Sequence, residues 1–335
     1  MGADVAERLY PHSEGCDVTT TAGRDLMRVT QMLVSIGLPV RNGEQHVESV
    51  VRSVLCQDHE NIELVISDNA STDSTEQICR ELARSDRRIA YHRQPTNIGH
   101  INNNARTKQL SHGSFFKLIG DDDLLFPNYI SRCLEAFAED ERLILVTTQL
   151  AYTSPDGNTE TLGYQGTGLR SEDPVTRFGE WLRLLNESHL LIDPLYGLIR
   201  KTAIESIPLR NTLRGDEVLA AKLALAGPWG HVPEVLGRRH WQAERLPQLA
   251  RKLGLPPWQA HVANVLQCRE LFAYLRRAEL TQSERRRARA AVRRLYLRRH
   301  WATAVHRSRR LGSITRGDAR RRALHVPPYD GPSPG

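Results

Sequence analysis

No apolar run in the 335 residues comes near the ~18–20 that a membrane-spanning helix needs. Residues 1–29 contain Asp4, Glu7, Glu14, Asp17 and Asp25 and no apolar centre, so they do not read as a secretory leader. Cysteine is sparse: Cys16, Cys56, Cys79, Cys133 and Cys268 are odd in number, widely spaced and form no CxxC pair. Neither a disulfide framework nor a zinc site fits that usage, and a reducing cytoplasm is the expected setting. Lysine is missing where positive charge is densest. Residues 269–322 hold 18 Arg, no Lys and 4 acids, a local +14 against +7 for the whole chain, so the remaining residues carry −7. An acidic body with an arginine-rich tail calls for two separate explanations. What is present, 40% apolar and 25% charged residues, is the composition of a globular protein. The length suits one large α/β domain with an appendage.

Residues 1–28 show no periodicity and read as an arm. From residue 28 the run RVTQMLVSIGLPV is nearly all apolar, as in a strand buried on both faces. Asn42 is placed to cap the following helix, with Gln45 at the capping-box position. Val47, Val50, Val51, Val54 and Leu55 recur at helical spacing. A strand at Ile62–Ser67, the polar loop DNASTDST, a helix carrying Ile78 and Leu82 inward, and a strand at Arg88–His92 follow. Strand–helix alternation with short links implies a parallel sheet with right-handed crossovers. Ligands of such sheets sit outside the carboxyl ends of the strands. That rule brings Leu38–Glu44, Asp68–Asp73 and Gly120–Asp123 to one edge.

The last of these lies in FFKLIGDDDLLFP, Phe115 to Pro127, where an apolar strand runs into Asp121, Asp122 and Asp123. Like charges at a strand end are costly unless something positive arrives. Carboxylate oxygens suit Mg²⁺ or Mn²⁺, which keep positions open for phosphate oxygens. The structural alternative is a solvated loop whose acids favour the next helix N-terminus. Further on, the spacing predicts a helix to about Ala138, a strand at Leu143–Thr148, a turn at 154–157 and loop over 158–172. A helix from Val175 to about Glu187, a strand at 195–199, a helix from Asp216 to Ala226 and a strand ending in Arg238, Arg239 and His240 complete the body.

The ordered series SIGLPVRNGE, ISDNASTD, NIG at 97–99, GDDDLLFP, GDE opening a helix that ends in Ala-Gly, VPEVL and RRH resembles the inverting family 2 glycosyltransferases of the GT-A fold, over about Val29 to His240. The resemblance implies an α/β, Rossmann-like, mainly parallel sheet flanked by helices. Residues 29–127 would form the nucleotide half and 128–243 the acceptor half. A basic helical extension would follow over 244–322 and a disordered tail over 323–335. It implies a nucleotide-sugar donor, UDP- or dTDP-linked, with Pro39, Arg41, Asn42 and Glu44 around the nucleotide. Asp68 and Asn69 would read the base, Asn69 standing where the family commonly has a second aspartate. Asn97 would shape the loop beneath the donor, and Asp121 would lie near the ribose. Asp122 falls at the metal position, with Asp123 and His240 as further candidate ligands for Mn²⁺ or Mg²⁺. Arg238 and Arg239 fall where diphosphate contacts occur, as bidentate guanidinium suits phosphate. Lys117 is either a ligand contact or an ion-paired strand lysine. Asp216 fits the base that accepts the proton of the attacking hydroxyl; Glu217 would point elsewhere on a helix.

The acceptor would be a hydroxyl-bearing saccharide, lipid-linked molecule or small metabolite. Residues 244–310 read as helical. Three readings of this basic segment rank in order: a helix pair covering the acidic body, a peripheral contact with the anionic inner membrane face, and, last, a nucleic-acid patch. Two rivals differ in class. One is a non-catalytic nucleotide-sugar-binding scaffold docking through the arginine-rich tail, which has no need of Asp122 or Asp216. The other is a nucleotidyltransferase, for which SIGLPVRNGE is a poor phosphate cradle with only Gly37, Gly43 and Arg41.

Overall fold

The computed structural model describes residues 28–301 apart from 30, 189, 206, 208–209 and 241–244. The expected N-terminal arm up to residue 27, the end of the basic extension and the tail at 323–335 lie outside the described residues. Strands β1 (Val34–Val40), β2 (Ile62–Asp68), β3 (Ile89–Arg93) and β4 (Phe115–Leu118) form a parallel half-sheet in the order 3-2-1-4. Helices α1 (Val47–Leu55), α2 (Thr75–Ser85) and α3 (His100–Leu110) make the crossovers. The cause is visible residue by residue. Val34, Ile36 and Leu38 are fully buried in β1, and Val47, Val50, Val51 and Val54 line the buried face of α1. Register sets Val40 beside Asp68, so the loops after β1 and β2 leave the sheet side by side.

The second half joins the same sheet through β5 (Leu124–Leu125), β6 (Leu145–Thr153), β7 (Thr159–Glu160), β8 (Leu198–Arg200) and β9 (Trp229–His240). The order continues from β4 as 8-6-9-5, with β7 on β6. Here β8 runs antiparallel to β4 and β6, β5 antiparallel to β9, and β9 parallel to β6. The sheet is therefore mixed, and the expected parallel arrangement holds for β1–β4. Strand–helix alternation predicts direction only while it lasts, and it breaks at β4, which β5 follows with no helix between, and again at the β6–β7 hairpin. That hairpin turns at Gly157, whose φ of +84° favours a residue without a Cβ. Helices α4 (Tyr129–Glu139), α5 (Pro174–Leu184), α6 (Lys201–Glu205) and α7 (Gly215–Ala226) flank this half. The strand expected at 195–199 starts instead at Leu198, because Pro194 opens a 3₁₀ turn over Pro194–Tyr196.

Helices α8 (Leu246–Lys252), α9 (Gln259–Arg277) and α10 (282–301) follow. Leu271, Leu275, Val292 and Leu295 share one buried core with Phe178, Trp181, Leu219 and Leu223. Lys222 of α7, itself buried, meets Glu270 of α9 at 2.8 Å. The arginine-rich helices are thus one wall of the second half. No helix among the described residues is long and apolar enough to cross a membrane. Leu271→Ala is expected to cost about 2–5 kcal/mol, as for a fully buried leucine. Urea unfolding followed by circular dichroism checks it, and a single transition is expected; a separate early transition would mean that the helices fold apart from the body.

Candidate active site

The loops at the carboxyl ends of β1 and β2 are laced together. Asn42 N–H donates to Ser71 Oγ at 3.0 Å, and Asn42 Oδ1 accepts from Thr72 N–H at 2.9 Å. Gly43 N–H donates to Thr75 Oγ1, and Glu44 accepts from Ser74 N–H. Asn42 consequently does not cap α1, which starts at Val47 after His46. Its partners lie some thirty residues away in the chain, where local capping patterns do not look. Asn69 donates to Asn97 Oδ1 at 2.8 Å and accepts from Ile98 N–H at 2.8 Å, tying in the third loop. Pro39 is half-buried inside β1, and Arg41 is exposed in the loop after it.

Asp68 is fully buried and its carboxylate is spent. Ser71 N–H and Oγ–H donate to one oxygen, Tyr91 O–H and Arg93 N–H to the other, all within 2.8 Å. Burial pushes this carboxyl up, but the donors from Ser71, Tyr91 and Arg93 outweigh it and hold it below its ordinary value. The structure contradicts a base-reading Asp68: no lone pair faces outward, and the residue braces the loop. Lys117 is corrected too. It is buried behind the acids, donating to the Tyr196 carbonyl and lying 4.2 Å from the centre of the Tyr129 ring. Burial pushes its ammonium down to about 8.

The three aspartates divide the edge between them. Asp121 takes a hydrogen bond from the Arg41 backbone, and burial followed by the neighbouring Asp122 pushes it up to about 6. Asp123 is buried. Its Oδ2 pairs with Arg239 Nε at 3.1 Å and accepts from Gly120 N–H. A Cβ at Gly120 would lie 2.7 Å from that oxygen, so glycine is what lets Asp123 fold back. Asp123 Oδ1 is buried with no hydrogen-bond partner. His240 Nδ1 lies 2.6 Å from the Asp122 carbonyl. A carbonyl only accepts, so Nδ1 carries a proton, and in the neutral ring this leaves the lone pair on Nε2, the arrangement found behind metal-ligating histidines. His46 stacks on His240 at 6.1 Å between ring centres. Among the described residues no three His, Cys, Asp or Glu side chains converge as a ready cation cage. An orphaned buried carboxylate oxygen and a raised neighbour nevertheless fit a cation bound by one or two carboxylates, with phosphate and water completing its shell.

Arg239 joins this edge to the second half. Besides Asp123 it pairs with Asp193, and its guanidinium stacks 3.4 Å from the centre of the Tyr196 ring. Arg238 is exposed, on the face of β9 opposite that of Arg239. Arg239, Asp193 and Asp216 line one cavity of about 830 Å³. Asp216 is open to that cavity yet ringed by protein, and burial, then Glu217, push its carboxyl up to about 6. Glu217 is fully engaged instead, by Arg214 at 2.6 Å and by Gln267 and Arg299 at 2.7 Å each. Among the described residues the non-glycine residues with positive φ are Asn42 and Ala70, in the loops after β1 and β2, and Arg214, just before α7. Backbone strain of that kind gathers at working sites.

Tyr91, Arg93, Asp193, Tyr196 and His46 were not legible as site residues. A lone Asp-Pro inside LLIDPLYGLI was the one cue for Asp193 and Tyr196.

A mixed α/β sheet with acidic loops at the carboxyl ends of its strands is the architecture of the GT-A class. The sequence model of Glycosyl transferase family 2 matches residues 35–204, and the chain belongs to that family. It is similar to glycosyltransferase GlyG of Streptococcus pneumoniae, 23% identical over 193 residues, covering 55% of this chain and 62% of that protein. It is also similar to chondroitin synthase of Escherichia coli, 32% identical over 133 residues, covering 39% and 19%. The chain therefore spans less than two thirds of these relatives. Among solved structures, S. aureus TarS 1–349 in complex with UDP-GlcNAc matches with TM-score 0.56 and 15% identity, over 79% of this chain and 72% of that one. Mannosyltransferase PcManGT from Pyrobaculum calidifontis, in complex with GDP-Man and Mn²⁺, matches with TM-score 0.50 and 14% identity, over 92% and 89%. At such identities the likeness is one of fold.

Asp68→Asn is expected to lower stability by ~1.5–3 kcal/mol at pH 7, the worth of charge-assisted hydrogen bonds. The lowered folded-state value sets the sign. The stabilisation is complete above the unfolded-state value of ~3.9 and fades as pH falls below it. Urea melts of both proteins at pH 7 and pH 3 check whether the gap closes on acidification.

Proposed function

We propose that this chain transfers a sugar from a UDP- or dTDP-sugar to an acceptor hydroxyl with inversion at the anomeric carbon, Asp216 accepting the hydroxyl proton. The observation that carries this reading is the shared cavity: Asp216 and Arg239 line it together, and Arg239 is bonded to Asp123 of the acid cluster. A single displacement needs a base on the face of the sugar opposite the departing diphosphate. Asp216 is the free acid of its pair, since Glu217 is held by three partners. A carboxyl raised to about 6 is ionised near neutral pH and still basic enough for the task.

The donor lies on the side of residues 29–127, against the laced loops of Arg41, Asn42, Glu44, Asn69 and Asn97. Asp121 faces the ribose. The acceptor enters on the side of residues 128–243, with the following helices as its outer wall. Asp122, with Asp123 and His240 Nε2 as further ligands, would hold Mn²⁺ or Mg²⁺, which would supply positive charge opposite the leaving nucleoside diphosphate. Supporting this reading, TarS is solved with UDP and UDP-GlcNAc, and PcManGT with GDP-Man and Mn²⁺.

Nucleotide-sugar binding by calorimetry, and nucleoside diphosphate release with and without Mn²⁺, test the proposal across UDP-, dTDP- and GDP-sugars. Transfer is expected to require the cation. Asp216→Asn should lower transfer by ~10²–10⁴-fold, the usual contribution of a general base, and leave donor affinity within about twofold. Because the base acts when ionised, kcat/KM is expected to rise with pH through about 6 and level off above it. Equal loss of donor binding and transfer in Asp216→Asn would reassign the residue to structure.

A further inference from the structure

Single exposed apolar side chains are ordinary; their gathering on one face marks a partner. Among the described residues five large apolar side chains are markedly exposed, and three of them, Val265 (45%), Leu297 (64%) and Trp301 (74%), belong to α9 and α10. Helical phase puts them on defined stripes. Along α9, Val265, Arg269, Phe272 and Arg276 recur at i, i+4, i+7 and i+11, opposite the buried Ala263, Gln267 and Leu271. Along α10, Arg286, Arg293, Leu297 and Trp301 recur at i, i+7, i+11 and i+15, opposite the buried Ala288, Ala291 and Leu295.

The two stripes meet. Val265, Phe272, Tyr296 and Leu297 line one hollow between the helices, and Arg269, Arg276 and Arg293 line it with them. Among the described residues no acid does so. The acids of the two helices are engaged elsewhere: Glu270 pairs with Lys222 of α7, and Glu284 accepts from Thr281. Residues 302–322 add seven Arg against one acid, so the charge of the rim grows along the chain and is not offset.

Aliphatic and aromatic side chains set among guanidinium groups fit a surface that is both anionic and apolar just beneath. Lipid headgroups over acyl chains are such a surface. Leucine and tryptophan gain by leaving water there, while arginine stems lie along the apolar layer and their heads meet phosphate. A second copy of the same face would set arginine against arginine. A nucleic acid offers phosphates to the arginines but no apolar depth to Val265 or Leu297.

We propose that the outer face of α9 and α10 docks on a bilayer that contains anionic phospholipid. Phe272, Leu297 and Trp301 enter the headgroup layer, and Arg269, Arg276 and Arg293 pair with phosphate. The inner side of α10 meanwhile reaches Glu217 through Arg299, so the docked wall is the one that the second half of the sheet is built against. This goes beyond the sugar-transfer reading and does not need Asp216 to be the base.

Co-sedimentation of the full chain with phosphatidylcholine vesicles, with and without phosphatidylglycerol, tests the proposal. Binding to the mixed vesicles is expected to be at least about tenfold tighter than to phosphatidylcholine alone, and to weaken as salt is raised. Vesicles with brominated acyl chains should quench tryptophan emission, and Trp301→Phe should weaken that quenching. Leu297→Ser combined with Trp301→Ser, both at exposed positions, should lower affinity for the mixed vesicles by about tenfold. Arg276→Glu combined with Arg293→Glu should lower it at least as much, and serves alone if the first variant fails to fold. Binding to neither vesicle, equal binding to both, or a preference that neither variant weakens overturns the proposal. So does a preference weakened by the arginine variant alone when both fold, which would be a charge contact without insertion. Tighter binding to single-stranded oligouridine than to the mixed vesicles at the same salt would assign the face to nucleic acid instead. UDP-sugar affinity is expected to match the parent chain in both variants, so failure here leaves the donor assignment standing.

Discussion

Arg239 is the contact on which the rest of the site depends. Three aspartates at one strand end repel one another, and Asp193 adds a fourth acid from the other half of the sheet. Arg239 pairs with both Asp123 and Asp193 and lies flat on Tyr196. A planar guanidinium is suited to that task, since it can pair with two carboxylates while its face rests on an aromatic ring. Among the described residues Asp121 and Asp122 have no such partner at the edge. The protein thus neutralises the part of the cluster that must stay folded and leaves negative charge where a cation and a diphosphate would arrive.

Two further constraints hold the surroundings in place. The saturated carboxylate of Asp68 braces the β2 loop against Tyr91 and Arg93, and the lacing of Asn42, Ser71, Asn69 and Asn97 carries that rigidity to the neighbouring loops. On the far side, Arg299 and Gln267 reach from the C-terminal helices to Glu217, next to Asp216. A wall that shares its core with α5 and α7 and holds the neighbour of the candidate base is part of the site. The arginines of this region divide accordingly: Arg299 is nearly buried in that network, while Arg293 and Arg276 border a second, apolar hollow between the same helices.

The readings that held were local. Apolar runs located β1 and β2, and helical spacing of apolar residues located α1, because each of those residues needs to be buried whatever its partner. Helical phase pointed Glu217 away from Asp216, and Glu217 is engaged by Arg214 and Arg299. The readings that failed were those in which a partner far along the chain decides. Asn42 looked like a cap and is a cross-link. Asp68 looked like a free acceptor and is saturated. Lys117 sits on a strand whose two faces the sequence does not distinguish, and it turned inward.

From sequence alone came the order of strands and acidic loops, the edge of the sheet where they meet, and the likeness to a family, since all of these depend on residue type and spacing. Tertiary structure alone decided which acids are spent and which are open, that β8 runs against its neighbours, and that the arginine-rich helices pack as a wall of the second half. Those outcomes are set by register and packing between segments some eighty or more residues apart, such as Asp123 with Arg239 or Glu217 with Arg299 at the end of the described chain, and no local pattern encodes them.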